Sequence, residues 1–149
     1  MLITAPLIFV NTFSSVSLLF MAYNPEFENA FDAVLCDVPC SGFGVLSENP
    51  DIKLRADERK PEVFCDIQFK ILNNCARYVK RGGFLYYSTC TLFKGENSGV
   101  VKKFLSENSG YELCEATSPL TGVSDTGIQF FPDMSCGAGF YFCKLKRVR

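Results

Sequence analysis

The sequence contains no histidine among its 149 residues, and this absence excludes several classes of catalytic and metal-binding site. A Ser-His-Asp triad, a Cys-His nucleophile pair and a zinc site with histidine ligands all require imidazole. The eight cysteines include no C-x-x-C pair, the spacing of many zinc and thioredoxin-like sites. We therefore expect no metal ion, and any nucleophile in this chain must be activated without imidazole.

Disulfide frameworks are typical of short secreted chains that cannot form a sufficient hydrophobic core. In this chain 48% of the residues are hydrophobic, which is enough for one globular domain. We therefore expect the cysteines to be reduced and the protein to be cytoplasmic.

Charge is missing from residues 1–25, which are mostly apolar. The stretch is long enough to cross a bilayer, but Pro6, Asn11 and several serines interrupt it. No basic residue precedes it, as a signal peptide would require, so we expect no membrane association. Three interpretations of this segment stay open. It forms one or two buried strands, or it is a leader of uncertain origin before a domain formed by 26–149. A membrane anchor is the third and weakest interpretation.

From Phe31 onward the pattern predicts alternating strands and helices. Residues 31–37 form a near-continuous apolar run ending in Asp37, as in a parallel strand that is buried on both faces. Apolar residues then recur at helical spacing from Pro61 to Val79, and 80–83 supply basic residues and a glycine stop. A second apolar strand follows over 84–88. A helix between two such strands predicts a right-handed βαβ crossover.

The rest of the chain predicts a second helix over 96–107 and strands over 111–116, 129–131 and 140–145. This order is typical of an α/β fold with an open, mostly parallel sheet and a terminal antiparallel hairpin. Ligands bind outside the carboxyl ends of the strands in such sheets. A cysteine lies at each of these places, Cys40 after the first strand and Cys90 after the second.

The motifs around these cysteines resemble those of the RsmB/Sun (NOP/Sun) family of S-adenosylmethionine-dependent RNA cytosine-5 methyltransferases. The resemblance is dense over 31–105 and looser over 128–147, about two-thirds of the chain. It rests on D-V-P-C-S-G-F-G at 37–44, N-P-D-I-K at 49–53, Q-F-K-I-L at 68–72, G-G-F-L-Y-Y-S-T-C-T at 82–91, E-N at 96–97 and G-F-Y-F at 139–142.

The resemblance implies a Rossmann-like fold of the class I methyltransferases and a reaction through a covalent adduct. Cys90 would be the nucleophile that adds to C6 of cytosine, and Cys40 would assist release of the methylated product. Asp37 would contact the N3/N4 edge of a base that has left its stack. The other six cysteines are expected to be packing residues.

The resemblance also implies S-adenosylmethionine as cofactor and ribosomal or transfer RNA as partner. Asp37 and Pro39 would face the cofactor, and the residues expected to face RNA are Ser41, Gly42, Lys53 and Arg55. The net charge is −1, but every lysine and arginine lies at Lys53 or later. A local basic face is therefore compatible with the overall balance.

One element of the family is missing from the sequence. The first glycine is Gly42, so nothing before it can form the glycine-rich turn that holds the cofactor. We therefore expect the chain to be the carboxyl-terminal half of a catalytic domain, with an amino-terminal half missing, and its activity alone stays open. The alternative is a non-catalytic fragment or pseudoenzyme that serves as an interaction module.

Overall fold

A computed structural model of the chain describes residues 7–11, 14–18, 23–58, 61–116, 126–135 and 137–149. For residues 7–11, 14–18, 55–58 and 134–135 it describes the backbone alone. The strands are β1 (Leu7–Asn11), β2 (Ser14–Leu18), β3 (Phe31–Asp37), β4 (Val79–Thr89), β5 (Tyr111–Leu113), β6 (Ile128–Phe130) and β7 (Phe140–Arg147). The α-helices are α1 (Pro61–Tyr78), α2 (Val100–Glu107) and α3 (Pro132–Ser135). Shorter 3₁₀ segments cover Pro25–Phe27, Phe43–Val45 and Pro50–Glu58, and a π-helical turn covers Gly95–Gly99.

The strands within these ranges form one sheet in the order β2-β1-β3-β4-β7-β5, and β6 also pairs with β7. Strands β3 and β4 pair in parallel, as expected for a crossover through α1. Strand β7 is antiparallel to β4, β5 and β6, so those three strands run in the same direction as each other. Because β4 is parallel to β3, they also share the direction of β3. The predicted α/β class, with most strands in one direction and an antiparallel hairpin at the end, is confirmed.

The hydrophobic core lies where α1 and α2 pack on the sheet. Helix α1 begins at Pro61, has Glu62 in its first turn and Arg77 in its last, and so matches the helix dipole at both ends. Its apolar face is buried against β3 and β4. Fully or nearly fully buried members of this core are Val34, Cys36, Ile71, Leu72, Cys75, Leu85, Tyr87, Val101 and Phe104.

Several predicted boundaries differ from the structure. Strand β4 starts at Val79, directly after α1, and its register to β3 shifts between Phe31 and Ala33. The segment 80–83 is thus part of an irregular strand rather than a helix stop. The predicted strand at 111–116 ends at Leu113, and residues Pro50–Glu58, for which no element was predicted, form a 3₁₀ segment.

The uncharged segment 1–25 contributes β1 and β2, which form an antiparallel hairpin, and β1 pairs with β3. This agrees with the prediction of one or two strands there, while residues 1–6, 12–13 and 19–22 lie outside the described part. A leader separate from the domain 26–149 stays a prediction. In the part of the chain that the structure describes, no helix is long and apolar enough to span a membrane.

Candidate active site

The two cysteine loops leave the sheet at the same edge. Asp37 is the last residue of β3 and pairs in register with Ser88, next to the end of β4. Because β3 and β4 are parallel neighbours, their carboxyl ends bring the following loops together. Cys40 and Cys90 therefore meet, as the positions of the two motifs predict.

The sulfur atoms of Cys40 and Cys90 lie 2.9 Å apart. This exceeds the about 2.05 Å of a disulfide, and both residues are free thiols. Cys40 is buried at 6% exposure, whereas Cys90 keeps part of its surface accessible. The exposed member of the pair is thus the one that a substrate can reach.

The two thiols differ in their ionisation. The hydrogen bond from Cys40 lowers the pKa of Cys90, although burial and the carboxylates of Asp37 and Glu96 oppose this effect. The pKa of Cys40 is raised well above its ordinary value, first by the same hydrogen bond and then by burial. The pair therefore favours a Cys90 thiolate that accepts a hydrogen bond from a Cys40 thiol, and the thiolate is the nucleophilic form.

Asp37 is the carboxylate closest in sequence to this pair. It is half-buried, and its Oδ1 accepts a hydrogen bond of 2.8 Å from the Ser88 hydroxyl. Burial raises its pKa, and the hydrogen bond from Ser88 partly offsets the increase. The protonated form of such a carboxyl group is therefore more available than that of an exposed one.

Close backbone packing fixes the loops against each other. Gly42 has φ of 78°, a left-handed conformation that favours glycine. The amide of Gly44 donates to the Cys90 carbonyl over 2.9 Å, and the Gly139 amide donates to the Gly44 carbonyl over 2.7 Å. The loop before β7 thereby joins the two cysteine loops.

Four residues of the site were missed as site residues by the sequence analysis: Gln68, Thr91, Glu96 and Asn97. All four are buried polar side chains. Glu96 receives hydrogen bonds from Gln68 Nε2 at 2.9 Å and from the backbone amide of Ser41 at 2.9 Å. Two signals were available: all four residues lie within motifs that carry the family resemblance, and Gln68 occupies a buried position of α1 where the helical spacing calls for an apolar residue.

The residues expected to face RNA or cofactor lie in different surroundings. Ser41 is 0% exposed and Gly42 is buried, so both lie beneath the loop surface. The Pro39 carbonyl accepts a hydrogen bond from Gln68 Nε2 at 2.9 Å. Lys53 is exposed in the segment Pro50–Glu58, and the side chain of Arg55 in the same segment lies outside the described part.

The remaining cysteines that the structure describes are free thiols as well. Cys36, Cys75 and Cys143 are buried in the core, and Cys65 and Cys114 are partly exposed. Cys136 lies outside the described residues. Over the described ranges, no group of three or more acidic, cysteine or histidine side chains is placed to hold a metal ion.

Comparison with known proteins extends this description. The family model of the 16S rRNA methyltransferase RsmB/F matches residues 18–146. Ribosomal RNA small subunit methyltransferase B of Escherichia coli O1:K1 / APEC is 40% identical over 119 residues, which are 79% of this chain and 27% of that protein. The chain thus spans about a quarter of the length of this curated relative.

Two solved structures are similar as well. The crystal structure of PH0851 aligns with a TM-score of 0.76 and 32% identity, covering 80% of this chain and 27% of that one. NSun6 from Pyrococcus horikoshii with SFG aligns with a TM-score of 0.61 and 30% identity, covering 77% and 29%. Both cysteine loops lie within the residues that the family model matches, and the chain belongs to the 16S rRNA methyltransferase RsmB/F family.

Proposed function

We propose that this chain is the thiol-bearing part of an S-adenosylmethionine-dependent RNA cytosine-C5 methyltransferase. The observation that carries the proposal is the contact of 2.9 Å between the sulfurs of Cys40 and Cys90. It joins an accessible thiol of lowered pKa to a buried thiol of raised pKa. Two thiols with opposite proton affinities suit a reaction in which one adds to the base and the other handles a proton.

The proposed chemistry starts from the low reactivity of C5 of cytosine. The Cys90 thiolate adds to C6, forming an S–C6 bond and giving C5 the nucleophilic character of an enamine. After methylation of C5, the C5 proton leaves and the S–C6 bond breaks, which regenerates the thiolate. Cys40, in hydrogen-bond contact with Cys90, assists this release.

Asp37 is proposed to act on the base rather than on the thiols. Thiolate attack is easier when the cytosine ring is protonated at N3, and a carboxyl group at the N3/N4 edge stabilises that form. The raised pKa of Asp37 supports this role, because the group then exchanges a proton with the base more readily. Its hydrogen bond from Ser88 fixes the orientation of the carboxyl group.

S-adenosylmethionine supplies the methyl group when it is bound. SFG, present in the NSun6 structure, is an analogue of this cofactor. In this chain Asp37 and Pro39 fit part of such a site, because they lie at the carboxyl end of β3 and keep exposed surface. The first glycine is Gly42, so we assign the glycine-rich part of the cofactor site to residues outside this chain.

RNA is the proposed partner, and the relatives named above favour ribosomal over transfer RNA. Lys53 is the described basic residue that we propose for a phosphate contact, with Arg55 in the same segment. Ser41 and Gly42 are proposed to support the RNA-facing loop from beneath. We further propose a cytoplasmic location, where the cysteines stay reduced, and an amino-terminal half that completes the domain.

Exchange of the C5 hydrogen tests the proposal without a methyl donor. Addition of a thiolate to C6 lets C5 take a proton from water, and reversal then releases the original hydrogen. RNA with tritium at C5 of cytosine should lose tritium to water in the presence of the chain. The variant Cys90→Ala should release none, whereas Cys65→Ala, a partly exposed thiol on α1, should behave as the wild type.

The opposite outcome supports the alternative of a non-catalytic module. If the wild-type chain binds the RNA but releases no tritium, or if Cys90→Ala releases it at the wild-type rate, the proposed chemistry is wrong. Calorimetric titration with S-adenosylmethionine tests the incomplete cofactor site separately. Tight one-to-one binding by the chain would contradict the missing half.

A further inference from the structure

Two consecutive residues outside the cysteine motifs, Glu96 and Asn97, lie buried beside both cysteine loops. They belong to the π-helical turn Gly95–Gly99 that precedes α2, and they are 0% and 1% exposed. A buried charged or amide group is costly unless it is hydrogen-bonded. Turns of this kind are frequent at functional sites. The hydrogen-bond partners of the two side chains therefore indicate their role.

Glu96 binds the residue that directly follows each cysteine. Its Oε1 accepts hydrogen bonds from Ser41 Oγ at 2.5 Å and from Thr91 Oγ1 at 3.2 Å. Its Oε2 accepts from the backbone amide of Ser41 at 2.9 Å and from Gln68 Nε2 at 2.9 Å. The two hydroxyl groups also bond to each other over 2.8 Å. One carboxylate thus connects the two cysteine loops and anchors both to α1.

Asn97 binds on both sides of Cys90. Its Oδ1 accepts from Thr89 Oγ1 at 2.5 Å, and its Nδ2 donates to the Thr91 carbonyl at 3.0 Å. The same Nδ2 donates to Gln129 Oε1 at 2.7 Å, which links the loop to β6. One side chain therefore holds the Thr89 hydroxyl before the proposed nucleophile and the Thr91 carbonyl after it.

We propose that Glu96 and Asn97 are positioning residues that hold Cys90 and Cys40 in mutual contact. Neither touches the reacting atoms, and both act through the loops that carry the thiols. The inference rests on the proposed function, because a reaction that uses two thiols gains from a fixed distance between them. Small errors in such a distance are costly, since productive geometry tolerates only about 0.5 Å.

A purely electrostatic role for Glu96 predicts the opposite effect on Cys90. The carboxylates of Glu96 and Asp37 both raise the pKa of Cys90, whereas the hydrogen bond from Cys40 is the largest influence and lowers it. Neutralising Glu96 without moving the loops would therefore lower the pKa of Cys90. Losing the contact between the thiols would raise it.

The test is the pH dependence of Cys90 alkylation by iodoacetamide, measured by peptide mass spectrometry on the full chain. In Glu96→Gln one acceptor oxygen becomes an N–H donor, so the hydroxyls of Ser41 and Thr91, which both donate to Oε1, must turn, and the loops should separate. We expect the midpoint of the pH profile of Cys90 alkylation to rise by about one pH unit. Labelling of Cys90 near pH 7 should then slow about tenfold. Glu107→Gln, an exposed glutamate at the end of α2, is the matched control and should keep the wild-type profile.

Two further variants separate position from charge and from folding. Glu96→Asp keeps the charge but is one methylene shorter, so we expect it too to raise the midpoint. Asn97→Ala changes no charge and should raise it as well, with thermal unfolding measured in parallel. An unchanged or lowered midpoint in folded Glu96→Gln, or wild-type profiles in both other variants, would overturn the inference. Alkylation involves neither RNA nor methyl donor, so failure of the proposed function would be visible separately.

Discussion

Replacing Gly44 with alanine would place a methyl group at the point where three loops meet. A Cβ at this position would overlap the carbonyl oxygen of Gly139 and lie 2.7 Å from that of Cys90. Both neighbours are backbone atoms, which cannot move as a flexible side chain does. The substitution must therefore push the Gly44 loop away from the loop before β7 and from the loop that carries Cys90.

The expected cost is that of overpacking, about 1–3 kcal/mol. For a chain of this size each kcal/mol corresponds to about 2–4 °C in Tm, so Gly44→Ala should lower Tm by roughly 2–12 °C. Thermal unfolding followed by circular dichroism measures this directly. Alkylation of Cys90 should change in the same variant, because its carbonyl accepts the hydrogen bond from the Gly44 amide.

Gly95→Ala is the matched control. Its Cβ would have Cys65 Sγ as the nearest heavy atom at 3.6 Å, an ordinary contact, and the residue is exposed in a helical turn. Alanine is better than glycine in a helix by about 0.5–1 kcal/mol, so Tm should stay the same or rise. Equal Tm values for Gly44→Ala and the wild type would refute the proposed packing of the loops.

Two other predictions concern ionisation. Cys40→Ala removes the hydrogen bond that lowers the pKa of Cys90 and leaves the burial and the carboxylates that raise it, so the alkylation midpoint of Cys90 should rise, and an unchanged midpoint would contradict the thiol pairing. The folded-state pKa of Asp37 is raised, so its ionised form destabilises the fold as pH increases through and above the carboxyl range. Asp37→Asn removes this charge and keeps an oxygen acceptor for Ser88, so it should raise Tm at neutral pH but not in acid. Tritium release from RNA should fall in the same variant. A lower Tm at neutral pH would argue against the raised pKa of Asp37.

The crossover and the meeting of the two thiols could be predicted from the sequence for a physical reason. Strands buried on both faces give continuous apolar runs, and a helix packed on one face repeats its apolar residues at helical spacing. These patterns are local. Once β3 and β4 are parallel neighbours, the positions of Cys40 and Cys90 after each strand bring them to one edge.

The polar network beneath the thiols could not be predicted in the same way. Glu96 and Ser41 are 55 positions apart, and a glutamate or serine in a loop usually faces solvent. The burial of Glu96 follows from the packing of three elements against each other, which no local sequence pattern predicts. For the same reason no sequence pattern indicates that the hydroxyl of Ser41, a residue expected to face RNA, donates to this carboxylate. The residues that support a site are thus harder to find than those that react.

The central claim is that the sulfur of Cys90 adds to C6 of a cytosine in RNA. RNA that contains 5-azacytosine measures this directly, because a thiolate can add to C6 and the ring nitrogen at position 5 takes up the proton without a methyl donor. Mass spectrometry of the resulting covalent complex identifies the modified cysteine. The proposal predicts attachment at Cys90 and none in Cys90→Ala, whereas attachment at Cys40 or at another cysteine, with Cys90 unmodified, would contradict it.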